Sequence, residues 1–101
     1  EPPMIYVIAT IDVLADRADD FAALAKPCIA ETRNEDGCDS YQLHRATDNE
    51  SRFVFVERWR DRDALNAHFR QPHLIAFRDD GAPMIKAKSV EIIDPADVDI
   101  L

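Results

Sequence analysis

Glycine and cysteine are scarce in this chain, and each scarcity argues against a class of site. The 101 residues include only two glycines, so there is no glycine-rich loop of the kind that cradles nucleotide phosphates. We therefore expect no flavin or nicotinamide site. The two cysteines, Cys28 and Cys38, lie ten positions apart, which is not a metal-ligand spacing. They predict two reduced thiols in a cytoplasmic protein, and a disulfide is the alternative.

Positive charge and long apolar runs are also in short supply. The chain has 12 basic against 20 acidic residues, which gives a formal net charge of -8. The phosphates of nucleic acid and anionic membrane surfaces would both repel such a protein. No apolar run approaches the roughly 20 residues that a helix needs to cross a bilayer. The composition therefore predicts a protein whose partners are neither nucleic acid nor membrane.

The spacing of apolar residues predicts one small α+β domain. Alternation with period two predicts strands, and spacings of three and four predict helices, for which Asp16 and Asp61 are candidate N-caps. The predicted strands span residues 4–14, 38–46, 53–60 and 86–93, and the predicted helices span 17–33 and 61–71, with another turn or two over 73–79. The order β-α-β-β-α-β is ferredoxin-like, with a four-stranded antiparallel sheet that carries its helices on one face.

The sheet face that the helices leave uncovered predicts a homodimer. That face carries Tyr6, Ile8, Val54 and Val56, whose apolar side chains are disfavoured in water. Burial against a second copy, related by a two-fold axis, is the simplest remedy. The single domain is expected over residues 4–94, after a short arm or cloning remnant at 1–3, and the tail at 95–101 is expected to dock on the partner subunit.

One strand and the helix after it carry the densest cluster of chemistry. Phe53, Phe55, Glu57 and Trp59 share one strand face because side chains alternate with period two. A carboxylate and an indole on an otherwise apolar face indicate a pocket. His68 follows on the helix, and a neutral imidazole titrates in the range that suits a general base.

The two histidines after that strand do not have the spacing of a metal site. His68 and His73 lie five positions apart with Pro72 between them, whereas paired zinc ligands on one helix lie four apart. No serine or cysteine stands in a nucleophile motif. We therefore expect no metal and no cofactor.

Three runs of sequence resemble a single family. They are GCDSYQLHR at 37–45, RFVFVERW at 52–59 and DALNAHF at 63–69, followed by Pro72 and His73. Over residues 4–94 the chain resembles the antibiotic biosynthesis monooxygenase family, and within it the small quinol monooxygenases. The resemblance implies a dimeric α+β barrel, in which two ferredoxin-like sheets face each other. Each subunit would keep a pocket between its sheet and its helices.

The family is functionally mixed, so the resemblance leaves several activities open. Several members oxygenate phenols or quinols with no metal or flavin, others degrade haem, and one branch isomerises a phosphorylated sugar. We expect a cofactor-independent monooxygenase that uses molecular oxygen on a quinol or other small dihydroxy-aromatic. The alternatives are an isomerase of a small carbonyl compound, for which the sequence shows no clear phosphate-binding residues, and a non-catalytic small-molecule-binding dimer.

Each candidate catalytic residue has a functional and a structural interpretation. His68 is either the base or a histidine held by a structural hydrogen bond, and Trp59 is either a flat wall for a substrate or a large core residue. Glu57 bonds a histidine or a substrate hydroxyl, or else forms an ion pair with an arginine. His44 is expected at the surface or the interface. The candidate substrate-binding residues are Tyr41, Phe55, Asn66, Phe69, His73 and Phe77.

Overall fold

The strands and helices of the chain follow the predicted order. The computed structural model describes residues 4–101, so the expected arm at residues 1–3 lies outside the described residues. The strands are β1 (Ile5–Val13), β2 (Cys38–Ala46), β3 (Asn49–Trp59) and β4 (Ile85–Ile93). The helices are α1 (Ala18–Thr32), α2 (Arg62–His68) and α3 (Pro72–Gly81), and short 3-10 turns occupy Ala15–Arg17 and Ala82–Met84.

The four strands form one antiparallel sheet in the order β2-β3-β1-β4. β1 is central: its Ala9 pairs with Phe55 of β3 on one side and with Val90 of β4 on the other. β2 pairs with β3 as a hairpin, with Leu43 opposite Phe55. The predicted ferredoxin-like α+β fold is therefore confirmed.

The core lies between one face of the sheet and the helices. Every second residue of β1 is buried, from Ile5 to Val13, and the alternate residues are only partly buried. Phe21 of α1 packs onto this face, with its ring centroid 5.0 Å from that of Phe53 and 5.4 Å from that of Phe77 in α3. Because the helices cover this face alone, a pocket between sheet and helices lies on the same side as the core.

The starts of the helices show how local sequence sets their boundaries. Asp61 caps α2 as predicted, because its side chain accepts a hydrogen bond from the backbone nitrogen of Ala64 at 2.8 Å. The predicted cap of α1 at Asp16 is wrong. Asp16 lies inside the 3-10 turn, and α1 begins at Ala18 with no side-chain cap.

Two other elements are longer than predicted. β3 begins at Asn49 and not at Phe53, since the polar residues of the expected turn continue the hairpin and Asn49 pairs with Ala46. α3 begins at Pro72, which is tolerated at the first helical position because the missing donor has no intrahelical partner there. It runs to Gly81, two residues beyond the helical turns expected over residues 73–79.

The second face of the sheet is uncovered within residues 4–101. Tyr6, Ile8, Val54 and Val56 lie on it and are partly exposed. Ile93 of β4 is 38% exposed. No helix in the described part of the chain has both the length and the apolar character needed to cross a membrane.

Candidate functional site

The turn between α1 and β2 brings a carboxylate to the two predicted histidines. Gly37 ends this turn with φ +85°, a left-handed conformation that other residues rarely adopt. A Cβ at that position would lie 2.5 Å from the Cβ of Ala64, so the turn packs directly on the first turns of α2. This close approach places Glu35, two residues earlier, beside His68 at the end of α2.

Glu35 binds both imidazoles through one oxygen. Its Oε2 lies 2.8 Å from Nδ1 of His68 and 2.7 Å from Nε2 of His73. The side chains of Glu35 and His68 are 8% and 2% exposed, and that of His73 is 17% exposed. A carboxylate oxygen accepts but does not donate, so each of the two contacting nitrogens carries its proton. In His68 this leaves Nε2 as the unprotonated nitrogen.

Aromatic rings enclose the imidazole of His68. The ring centroid of Trp59 lies 4.7 Å away and that of Tyr41 lies 5.4 Å away. Burial lowers the pKa of His68 below its usual value, and the hydrogen bond that its Nδ1 donates to Glu35 offsets part of this effect. His68 is therefore neutral near pH 7, which is the form that accepts a proton.

Glu57 is bound to the indole and not to a histidine. Trp59 Nε1 donates a hydrogen bond of 2.9 Å to Glu57 Oε1. Burial raises the pKa of Glu57 to about 7, against the opposing effects of the Trp59 hydrogen bond and the positive charge of Arg78. This carboxyl group thus exists in both protonation states at neutral pH, and it donates or accepts accordingly.

A small cavity lies between the sheet and the helices, next to His68. Its volume is about 80 Å³, whereas a cavity of roughly 150 Å³ holds one benzene ring. The lining is mostly aromatic and aliphatic, with Tyr41, Glu57 and His68 as polar groups, and Arg78 and Lys88 as cations. Both cations are exposed, and neighbouring Val90 is 51% exposed, so the mouth opens along β4. A ring enters only if these side chains move outward.

An open groove lies on the other side of the histidine cluster. It has a volume of about 650 Å³ and is lined by Glu35 and His73, together with Asn34, Arg60 and Gln71 among others. His68 lines the apolar cavity but not this groove. The Glu35–His68–His73 cluster therefore connects the interior of the domain with a solvent-facing surface.

The structure brings most of the predicted site residues together, and it separates three of them from the cavity. The predicted residues that line the cavity are Tyr41, Phe55, Glu57, His68, Phe69 and Phe77. Trp59 is fully buried behind His68 and Glu57, and His73 lines the groove. Asn66 accepts a hydrogen bond from Arg62 at 3.1 Å and is not among the cavity residues.

His44 and the cysteines take no part in this site. His44 is exposed and contacts Gln42 at 3.1 Å, on the uncovered face of the sheet. Both cysteines are free thiols, and burial raises the pKa of each, that of Cys38 to about 11. High pKa values leave little thiolate near pH 7, so neither thiol is poised as a nucleophile.

Glu35 is the functional candidate that the sequence analysis missed. It stands in a polar turn, among acidic residues that resemble a solvated helix end. The one available signal was its position two residues before Gly37, whose left-handed exit fixes the path of the turn. Nothing in the local pattern shows that this turn packs on α2.

Glu35, His68 and His73 are also the residues in the described part of the chain that suit a metal ion. One ligand atom from each lies within 4.8 Å of the others, and two imidazoles with one carboxylate form a ligand set that iron and zinc use. The contacts of 2.8 and 2.7 Å are ordinary hydrogen-bond lengths. Protons therefore satisfy the cluster without an ion.

Comparison with known proteins identifies the family that this chain matches. The model of the family described as antibiotic biosynthesis monooxygenase matches residues 4–80. An uncharacterised protein of Synechocystis is 36% identical over 88 residues, which cover 87% of this chain but only 59% of that protein. Rv0793 of Mycobacterium tuberculosis, provisionally named a monooxygenase, is 34% identical over 94 residues, with 92% of each chain covered.

Solved structures agree with this assignment. The structure of Rv0793 superposes with a TM-score of 0.87 at 32% identity and covers 94% of this chain and 97% of that one. A Nitrosomonas europaea protein, provisionally named an antibiotic biosynthesis monooxygenase, gives a TM-score of 0.89 with 95% and 93% of the chains covered. Its 21% identity supports the fold alone. The matched family model and the similarity to Rv0793 show that the chain belongs to the antibiotic biosynthesis monooxygenase family.

Proposed function

We propose that this protein is a monooxygenase that needs no resident cofactor and oxygenates a small dihydroxy-aromatic with molecular oxygen. The observation that carries the proposal is the state of His68. Glu35 holds its Nδ1 at 2.8 Å, and the ring lines an apolar cavity. Proton abstraction from a phenol requires a neutral imidazole with a free Nε2, beside an apolar cavity that admits a ring once the side chains at its mouth move outward.

The proposed reaction balances without an external reductant. A hydroxyl of the bound quinol gives its proton to Nε2 of His68, and the resulting anion passes one electron to oxygen. The substrate radical and superoxide then combine at a ring carbon, which forms a carbon–oxygen bond. His68 returns its proton to the outer oxygen, the ring carbon gives up its hydrogen as a proton, and the oxygen–oxygen bond breaks. One oxygen atom stays on the ring and the other leaves as water, so a benzenoid quinol yields a hydroxyquinone.

The cavity contributes to this chemistry through its polarity. Its apolar walls exclude water, which strengthens the interaction between the substrate anion and the imidazolium of His68. Burial raises the pKa of Tyr41 far above its usual value, so its hydroxyl keeps its proton and can donate to a substrate oxygen. Glu57, with its pKa of about 7, is suited to hold the second substrate hydroxyl.

The mouth of the cavity favours a substrate with an acidic substituent. Arg78 and Lys88 line it in a chain whose net charge is -8. A ring that carries a carboxylate would place the negative charge at this mouth while its hydroxyls reach His68. Neutral diols with the same ring are expected to bind more weakly.

The proposal includes a homodimer. The centre of the uncovered sheet face is mostly apolar, with Ile8 paired to Val56 and Thr10 to Val54 across β1 and β3. Its burial against the same face of a second copy would remove this surface from water. The tail carries Ile100 at 83% exposure and Leu101 fully exposed, and we expect it to dock on the partner subunit.

Oxygen uptake with a panel of hydroquinones and catechols tests the activity. The panel pairs each neutral diol with its carboxylated counterpart, and each rate is compared with spontaneous oxidation in buffer. Isotope-labelled oxygen gas should place one labelled atom in the product and one in water. Uptake no faster than the spontaneous rate for every diol would remove the oxygenase proposal and leave a binding dimer.

An isomerase is the second candidate, and one observation favours it. Arg78 and Lys88 supply at the cavity mouth the positive charge that a phosphorylated carbonyl compound would need. Such an enzyme would use His68 to move a proton between carbons, without oxygen. Exchange of substrate hydrogen with deuterated water under anaerobic conditions, together with no oxygen uptake, would identify this activity.

A further inference from the structure

We propose that Glu35 is a positioning residue that holds His68 in its base form. Its carboxylate fixes the proton of His68 on Nδ1, which keeps Nε2 free for the substrate, and stabilises the imidazolium that forms on proton transfer. This inference deepens the proposed function and rests on it for the reaction. The tautomer of His68 tests it separately.

The geometry around His68 gives the carboxylate this role. Glu35 Oε2 is 2.8 Å from Nδ1, both side chains are at least nine-tenths buried, and the contact joins a turn to a helix 33 positions later in the chain. A neutral imidazole carries one proton, on either nitrogen. An acceptor at one nitrogen selects the tautomer that donates to it, so the opposite nitrogen becomes the acceptor.

The negative charge of Glu35 also acts after His68 has accepted the substrate proton. An imidazolium in an apolar environment is costly unless an opposite charge lies nearby. Glu35 is in contact with the ring, whereas the other buried carboxyl group, Glu57, is bound to Trp59. Glu35 therefore makes His68 a stronger base than burial alone would allow.

The remaining charged and titratable groups around His68 set the background for any pH dependence. Arg78 and His73, both on α3, disfavour a positive charge on His68. Tyr41 on β2 faces the ring across 5.4 Å and stays protonated near neutral pH. Glu57 on β3 has a pKa of about 7, so its charge changes within the pH range of the experiment. Variants must therefore be compared over a full pH range.

His73 has a supporting position in this arrangement. It donates to the same Oε2 at 2.7 Å and lines the groove on the solvent side. Two donors on one oxygen restrain the carboxylate more than either one does alone. We expect loss of His73 to loosen Glu35 but to leave the proton of His68 on Nδ1.

The first test reads the tautomer by nitrogen NMR of the histidine side chains. The chain has three histidines, so His44→Gln and His73→Gln variants suffice to assign the signals. In the wild type and in His73→Gln, His68 should carry its proton on Nδ1 alone. In Glu35→Gln the ring should become a mixture of tautomers, and its pKa should fall because the opposing negative charge has been removed. Glu31 is an exposed carboxylate in the groove that Glu35 and His73 line. Glu31→Gln is therefore the matched control and should change neither the tautomer nor the pKa of His68.

The second test is the pH profile of oxygen uptake in the same variants. Activity requires neutral His68, so kcat rises as the pH increases through the pKa of His68. In Glu35→Gln this rise should move to lower pH, and the plateau should fall about 10²-fold, the lower end of what a general base contributes. A purely structural loss would lower the plateau and leave the rise in place.

Two results would overturn the inference. One is a wild-type His68 protonated on Nε2, or a tautomer and pKa that stay the same in Glu35→Gln. The other is one zinc or iron per chain in purified protein that is lost in Glu35→Gln, since the cluster would then be a metal site. If wild-type protein takes up no oxygen, the proposed reaction fails, and the NMR comparison still decides whether Glu35 controls His68.

Discussion

The buried polar residues of this site differ in how far their hydrogen-bond partners offset the cost of burial. His68 has a carboxylate partner and stays neutral at little cost, whereas Glu57 has a single indole donor and is 6% exposed. An ionised carboxyl group with so little solvation destabilises the folded state. Its pKa of about 7 expresses this cost, because folding favours the protonated acid.

Replacement of Glu57 tests that interpretation through stability. The raised pKa means that the contribution of Glu57 is fully present below its unfolded pKa and is lost as the pH rises through about 7. Glu57→Gln keeps an acceptor for Trp59 and cannot ionise. As the pH rises from about 5 to about 8.5, the stability of the variant relative to wild type should increase by at most about 3 kcal/mol. Urea denaturation at both pH values measures this, with Glu31→Gln as the exposed control. If Glu57→Gln and wild type differed in stability by the same amount at both pH values, ionisation of Glu57 would not destabilise the folded state.

The turn after α1 packs closely on α2. Gly37 has both a positive φ and no room for a Cβ, since Ala64 would be 2.5 Å away. Gly81, at the end of α3, has a helical φ of -83°, and a Cβ added there would lie 3.6 Å from the side chain of Leu24. The two glycines of the chain thus provide a matched pair.

Alanine substitution at the two glycines should have opposite consequences. Gly37→Ala should cost at least about 1 to 3 kcal/mol from backbone strain, with the clash at Ala64 in addition. It should also displace Glu35 and so perturb His68. Gly81→Ala should be neutral or stabilise by up to about 1 kcal/mol, since alanine is the better helix former. Chemical denaturation of both variants measures the difference. Equal costs at the two sites would contradict the packing described for the turn.

Much of the fold follows from local pattern, and the decisive part of the site does not. The alternation in β1 and β3 predicts the buried face correctly, and that face includes Glu57 and Trp59. The last two residues of α3, Asp80 and Gly81, were missed because they precede Ala82 and Pro83 and resemble the start of a loop. Asp80 lies on the exposed side of the helix, and Gly81 belongs to its buried stripe with Leu74 and Phe77. Glu35 was missed because its partners are 33 and 38 positions away. A contact at that separation depends on tertiary packing, which local periodicity does not report.

At the scale of the whole molecule, a single copy leaves one sheet face in water. The ladder between β1 and β3 brings Tyr6, Ile8, Val54 and Val56 into one central patch. Salt bridges such as Arg52 to Asp12, at 2.8 Å, border this patch toward one end of the strands. An apolar centre with a polar rim is the usual anatomy of a protein–protein interface.

A charge at the centre of this patch should separate the proposed dimer. Val56→Asp would bury a carboxylate against the partner, which is strongly unfavourable without a counter-charge. Sedimentation at micromolar concentration should give twice the mass of one chain for wild type and the mass of one chain for the variant. Ala76→Asp, an exposed position on α3, is the control and should remain dimeric. A wild-type protein that sediments as a single chain would contradict the dimer.

The most direct test of the proposed function compares oxygen turnover in two histidine variants. His68→Gln removes the base beside the cavity, and His44→Gln removes an exposed imidazole on the opposite face of the sheet. Because His68 is only 2% exposed, circular dichroism first confirms that its variant is folded. With the best substrate from the panel, kcat of His68→Gln should fall by roughly 10²- to 10⁴-fold, the contribution of a general base, while His44→Gln keeps the wild-type rate. A folded His68→Gln protein that turns over at the wild-type rate would contradict the proposal.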